Sequence, residues 1–251
     1  MESSVRRATG LVLGYRVRIP NSHLPTAMHT VRIWDLPTRL FHWALAVCVV
    51  GLVVSANIGG NVMNWHFRFG YSVLTLLLFR LVWGLVGGRW SRFSSFLYAP
   101  ATLLGYLRGK FRPEHIAGHS PTGALSVFAM LMVLLVQVSS GLFSDDDIAF
   151  AGPLAGLVSG KWVSLATGYH KEVGKFIVIA LVVLHLLAIA YYKMVKKADL
   201  LKPMLLGDKT LAAPVVPSQD TGRTRLAALC VLAVCAFAVN RVIALGASSG
   251  F

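Results

Sequence analysis

"YHKEVGKFIVIALVVLHLLAIAYYK", Tyr169 to Lys193, decides the fold of this chain. It is apolar over the length a helix needs to cross a bilayer, about 20 residues at roughly 1.5 Å each. Within it stand two histidines, His170 and His185. An ionisable ring inside a span costs about 2–3 kcal/mol or more and asks for a functional partner. Fifteen steps of about 100° nearly close four turns, so the two rings face one side of the helix, about 22 Å apart along its axis.

Outward from this stretch the rest of the chain has the same character. Of 251 residues, 56% are apolar and 14% charged. Most of the surface must therefore meet something other than water, and an all-α polytopic membrane protein satisfies this. The formal net charge of +14 would suit nucleic acid only if the basic residues made one continuous face. They are scattered between apolar runs, which excludes nucleic acid and makes membrane lipid the medium. Cys48, Cys230 and Cys235 lie in apolar stretches and no Cys-x-x-Cys-His occurs. Neither a disulfide framework nor covalent c-type haem attachment is indicated, and the three read as packing residues.

Five runs are long enough to span, at roughly 38–58, 66–88, 122–143, 169–192 and 225–245. Residues 1–30 hold arginines but no apolar core of signal-peptide length, so the first run is expected to be an uncleaved anchor. The expected organisation is an N-terminal extension over 1–30, a transmembrane domain over 31–210, and a linker with a fifth helix over 211–251. Lys and Arg number six in 1–41, five in 87–121 and seven in 193–225; Arg68, Lys161, Lys171 and Arg241 fall on the other side. The positive-inside rule then predicts a cytoplasmic N-terminus and a C-terminus outside. The stretch "RFSSFLYAPATLLGYLRGK" (92–110) reads equally as an interfacial helix or a surface loop. Asp145, Asp146 and Asp147 read as a solvated outer loop.

Of the eight histidines, His23, His29, His115 and His119 fall in cytoplasmic segments and are expected to be ordinary solvated residues. His42, His66, His170 and His185 fall in spans or at their ends. The first helix, with Pro37 suited to its first turn, puts His42 near the inner boundary, at the level of His185. The second starts outside and puts His66 at the level of His170. Depth alone forms two pairs, His42 with His185 and His66 with His170. Facing imidazoles from neighbouring helices are what a low-spin haem b takes as axial ligands in a bundle interior. A lone membrane histidine is ordinarily a packing residue, but four at matched depths resist that account. No Cys, Asp or Glu joins them to complete a zinc or copper shell.

At these residues the chain resembles a known family. "VRIWDLPTRLFHW" (31–43), "HFRFGYSVLTLLLFRLVWG" (66–84), "GHSPTGALSVFAML" (118–131) and "LLKPMLLGDK" (200–209), with His170 and His185, resemble the bacterial cytochrome b561 and nickel-hydrogenase-type cytochrome b family. The cytochrome subunits of formate dehydrogenases are more distant relatives. The resemblance covers roughly residues 30–210. It implies a four-helix haem-binding transmembrane bundle carrying two haem b, the outer one on His66 and His170 and the inner one on His42 and His185. The fifth, C-terminal transmembrane helix lies outside that pattern.

Arg80 lies fourteen residues after His66, within about 40° of the same helix face and roughly 21 Å further along, the depth of the inner haem. It is expected to pair with a haem propionate, with snorkelling as the alternative. Arg39, one turn before His42, is a weaker candidate for the same role. Arg68 and Lys171 flank the outer ligands, and Gly70 and Gly141 leave room for a macrocycle or for close helix packing.

Two stacked haems make a wire across the bilayer. The expected function is electron transfer in the bacterial inner membrane between a periplasmic redox partner and the quinone pool. The resemblance implies quinone or quinol as substrate, and a c-type cytochrome, dehydrogenase or hydrogenase subunit as the periplasmic partner. A quinone site is placed around His42, His185 and Lys193. The competing reading is a transporter or channel whose intramembrane histidines relay protons or bind metal.

Overall fold

Capping residues in the sequence set where the helices begin and end. The computed structural model describes residues 10–12, 15–17, 28–110 and 114–248, so His23 lies outside the described residues. Strands β1 (Gly10–Val12) and β2 (Tyr15–Val17) pair antiparallel, and β3 (His29–Arg32) leads into α1 (Leu36–Ile58). The Asp35 carboxylate caps α1 by accepting from the Thr38 amide at 2.8 Å, with Pro37 in the first turn. Gly59, at φ 71°, ends α1 in a conformation that suits glycine. The chain returns through α2 (Met63–Val86), then through the short helices α3 (Pro100–Leu107) and α4 (Glu114–Ala117). Ser120 caps α5 (Pro121–Leu142) by accepting from the Gly123 amide at 3.2 Å.

α6 (Gly160–Gly168), a π turn (Tyr169–Gly174) and α7 (Lys175–Met194) follow as one rod of 35 residues. α8 (Leu201–Leu206), β4 (Asp208–Leu211) and α9 (Gly222–Ser248) complete the chain. Among the described residues five rods are long and apolar enough to cross a membrane, and the protein is a multi-pass membrane protein. The fourth starts nine residues before the run expected from hydropathy, because Gly160, Lys161 and Ser164 dilute its apolar density.

α2 is central and packs against α1, α5 and α9; α5 in turn packs on α7. Val73, Leu77, Leu134 and Val178 fill the middle of the bundle. Ala228 and Cys235 of α9 join Phe41, Phe79 and Trp83 in a second cluster. The fifth helix therefore closes the bundle. Large apolar side chains outside these clusters face outward, among them Val50, Leu184, Leu187 and Phe237, as helices in lipid require.

One end of the bundle, called here the basic end, gathers residues 28–35, 87–110, 114–120 and 195–221. There β3 pairs antiparallel with β4, Val31 opposite Lys209, so the expected boundaries near 30 and 210 meet in one two-stranded sheet. Arg32 ties this sheet down through Asp208 at 2.6 Å and Asp220 at 2.8 Å, and Arg225 holds Asp220 from α9 at 2.8 Å. Residues 92–110 divide the two readings given to them. A tight turn at Phe93–Ser95 tucks Phe96 to 1% exposure, and α3 covers Pro100–Leu107.

Candidate functional site

The end opposite the basic end holds His66, in the first turn of α2, and His170, in the π turn. Their ring centres lie 6.2 Å apart at 86° between planes. Each ring is gripped by a backbone carbonyl: His66 Nδ1 is 3.1 Å from the Leu52 oxygen, and His170 Nδ1 is 2.9 Å from the Gln137 oxygen. A carbonyl only accepts, so each Nδ1 carries the proton and each Nε2 keeps its lone pair for a ligand. Both rings line a cavity of about 410 Å³ that also touches Gly70, Tyr71, Gln137 and Gly141. A Cβ on Gly141 would come within 2.8 Å of His170 Cε1, so glycine there gives the ring its place.

At the basic end His42 of α1 meets His185 of α7, with ring centres 6.4 Å apart at 54°. His42 Nδ1 is buried without a hydrogen-bond partner. A metal–imidazole bond of about 2 Å on each side, with roughly 1.1 Å from nitrogen to ring centre, separates two rings on one metal by slightly over 6 Å. Both pairs have that spacing. The donors are imidazoles alone, and among the described residues no three His, Cys, Asp or Glu converge on a point. Two imidazole donors at that spacing fit the iron of a haem.

Around the basic-end pair the charges are buried. Arg80 is 3% exposed, its guanidinium lies 4.7 Å over the Phe93 ring, and its Nη1 has no partner. Arg39 is partly engaged: its Nη1 donates to the Leu205 carbonyl at 2.6 Å and its Nη2 lies 4.0 Å from Asp220, while its Nε is buried without a partner. Asp35, fully buried, accepts from the Thr38 and Gly88 amides, Ser91 Oγ and Trp83 Nε1. It locks the start of α1 to the end of α2, one turn from Arg39 and two from His42.

Two histidines expected in solvent are not there. His115 is 6% exposed and packs edge-on to Tyr98 and Tyr106. His119 lies between Trp34 at 4.7 Å and Phe96 at 4.4 Å, its Nδ1 buried without a partner. The aromatic residues of the loop fold over it, an effect that loop polarity alone does not reveal. Burial first, then the charges of Arg80 and Lys209, push His119 down to about 3, so it is neutral. Asp146, by contrast, is solvated as expected. Amides of Phe150, Ala149 and Ile148, each within 3.0 Å, hold its carboxyl below the usual range.

Gln137 and Asp35 escaped the sequence reading. Gln137 had a signal, as the one amide side chain in the third apolar run.

A bundle of apolar spans with inward imidazoles and buried cations defines a class, the multi-pass membrane cytochromes that transfer electrons. Residues 33–207 match prokaryotic cytochrome b561, and the chain belongs to that family. Haem b and membrane electron transfer come with the membership, which does not favour the transporter reading. Among curated relatives, a probable Ni/Fe-hydrogenase B-type cytochrome subunit of Bradyrhizobium diazoefficiens is 21% identical over 72% of this chain and 86% of its own length. One of Azotobacter chroococcum is 23% identical over 70% and 87%. A probable Ni/Fe-hydrogenase 1 B-type cytochrome subunit of Escherichia coli K12 is 23% identical over 46% of this chain and 61% of its own. No solved structure matches the chain.

Proposed function

We propose that the chain is a two-haem electron conduit, in which His66 and His170 ligate one haem b, and His42 and His185 a second at the basic end. The observation that carries this is the spacing of the two ring pairs, 6.2 and 6.4 Å. Bound haem supplies reversible one-electron chemistry at iron. The chain's own residues do the rest. The carbonyls of Leu52 and Gln137 hold the ring protons at Nδ1 of His66 and His170 and leave Nε2 for the metal. Gly141 leaves the place that the His170 ring takes, and Gly70 lines the cavity from α2. Arg80, buried with a free Nη1, is the cation for a propionate at the basic end. Arg39 is the weaker candidate because the Leu205 carbonyl already occupies its Nη1.

The basic residues orient the chain in the bacterial inner membrane with its N-terminus and basic end in the cytoplasm and its C-terminus in the periplasm. His66 and His170 then face a periplasmic redox partner. His42 and His185 serve the quinone pool, with a quinone or quinol site around them and Lys193. The hydrogenase names of the relatives favour a hydrogenase subunit as that partner, ahead of a c-type cytochrome or another dehydrogenase subunit.

The test is a pyridine haemochrome assay with redox titration on the purified protein. Two b haems per chain at distinct potentials are expected, and fewer would overturn the reading. Single His→Ala variants should each lose one haem, with the losses grouped as His42 with His185 and His66 with His170.

A further inference from the structure

The irregular point of the bundle is the π turn at Tyr169–Gly174, which contains His170. A π turn interrupts the regular backbone ladder and leaves polar groups to be satisfied from outside the helix. Gln137, on the facing helix α5, supplies that need twice. Its side-chain Nε2 donates to the His170 carbonyl at 3.0 Å, and its own carbonyl accepts from His170 Nδ1 at 2.9 Å. One residue thus holds both the backbone and the ring of His170. Gly174 makes the approach possible, since a Cβ there would collide with Gln137 Oε1. That Oε1 is buried without a partner and Gln137 lines the cavity. A side chain present only to fill space would be apolar at this depth, because an amide with one end unsatisfied is costly in lipid.

We infer that the Gln137 side chain is the positioning group for His170: by keeping the π turn open at that carbonyl it holds the ring where the backbone carbonyl of residue 137 sets its tautomer and its plane against His66. This rests on the ligand assignment made under Proposed function. The near-perpendicular arrangement of the two rings is the property it sets. That property is visible spectroscopically, because the anisotropy of a low-spin ferric centre follows the angle between its axial ring planes.

The experiment uses the full chain with its haems, and the signal lost in His66→Ala identifies the centre to follow. Gln137→Met keeps the length of the side chain without its donor. Gly174→Ala displaces Gln137 from a different helix and serves should the first variant not accumulate. Both are expected to keep two haems and an unchanged basic-end signal, which reports that the bundle is folded. The EPR anisotropy and midpoint potential of the other centre should shift. If that centre keeps its wild-type signal and potential in both variants, or if both centres shift alike, the inference is overturned. Wild-type protein without haem would overturn the ligand assignment and this inference together. Two haems with unresponsive variants would overturn the inference alone.

Discussion

Arg80 carries a full charge to 3% exposure with Nη1 unpartnered, and the nearby charge of the fully buried Asp35 offsets it. Arg80→Met removes the charge that offsets buried Asp35 and is therefore expected to destabilise the haem-free protein. It should also weaken haem retention at the basic end roughly ten- to a hundredfold, the worth of a charge-assisted bond. Thermal melts and haem titration of the reconstituted protein check the two halves.

Lys209 is the complementary case outside the spans. Burial pushes it down to about 8 from 10.5, so the unfolded chain binds its proton more readily than the folded one between those values. Stability must then rise with pH across that window, by at most about 3 kcal/mol. Lys209→Met should flatten that rise in a comparison of melting temperatures from pH 8 to 10.5. Of such residues, the sequence revealed those whose type conflicts with their run: four histidines and Arg80 among apolar neighbours. His119 sits in a polar loop and Lys209 in the short strand β4, where nothing local announces that Trp34, Phe96 and Ile116 will enclose them.

Among the elements, the spans were legible because hydropathy over about 20 residues is a local property. The β3–β4 sheet was not, since it joins residues nearly 180 positions apart. The π turn was not either, since i→i+5 bonding has no sequence pattern of its own. The junction of α1 with α2 is the element-scale hinge of stability. Asp35 accepts hydrogen bonds from both sides of it, and Ser91 in turn meets Thr38 at 2.7 Å. Asp35→Ala strips those donors of their acceptor at zero exposure, and a loss of about 3–5 kcal/mol is expected. A thermal shift in detergent measures it.

For the whole molecule, the proposed topology of five crossings puts the residues before α1 and those after α9 on opposite sides. A reporter that works only outside the cytoplasm, fused after residue 248, should be active, and the same reporter placed in the loop at Lys110 should be silent. Active reporters at both sites would remove one span from the count.

The two storeys also differ in how their rings are held. His66 and His170 each give Nδ1–H to a carbonyl, while His42 Nδ1 has none and Arg80 is buried at the same end of the bundle. Donating that proton makes an imidazole more electron-rich and favours ferric iron, whereas a nearby buried cation favours ferrous iron. Both influences act the same way, so a built-in slope is expected. On the proposed ligation and orientation, the His66–His170 centre should titrate at the more negative voltage and the His42–His185 centre at the more positive, a slope that favours inward passage and offsets part of the membrane potential opposing it.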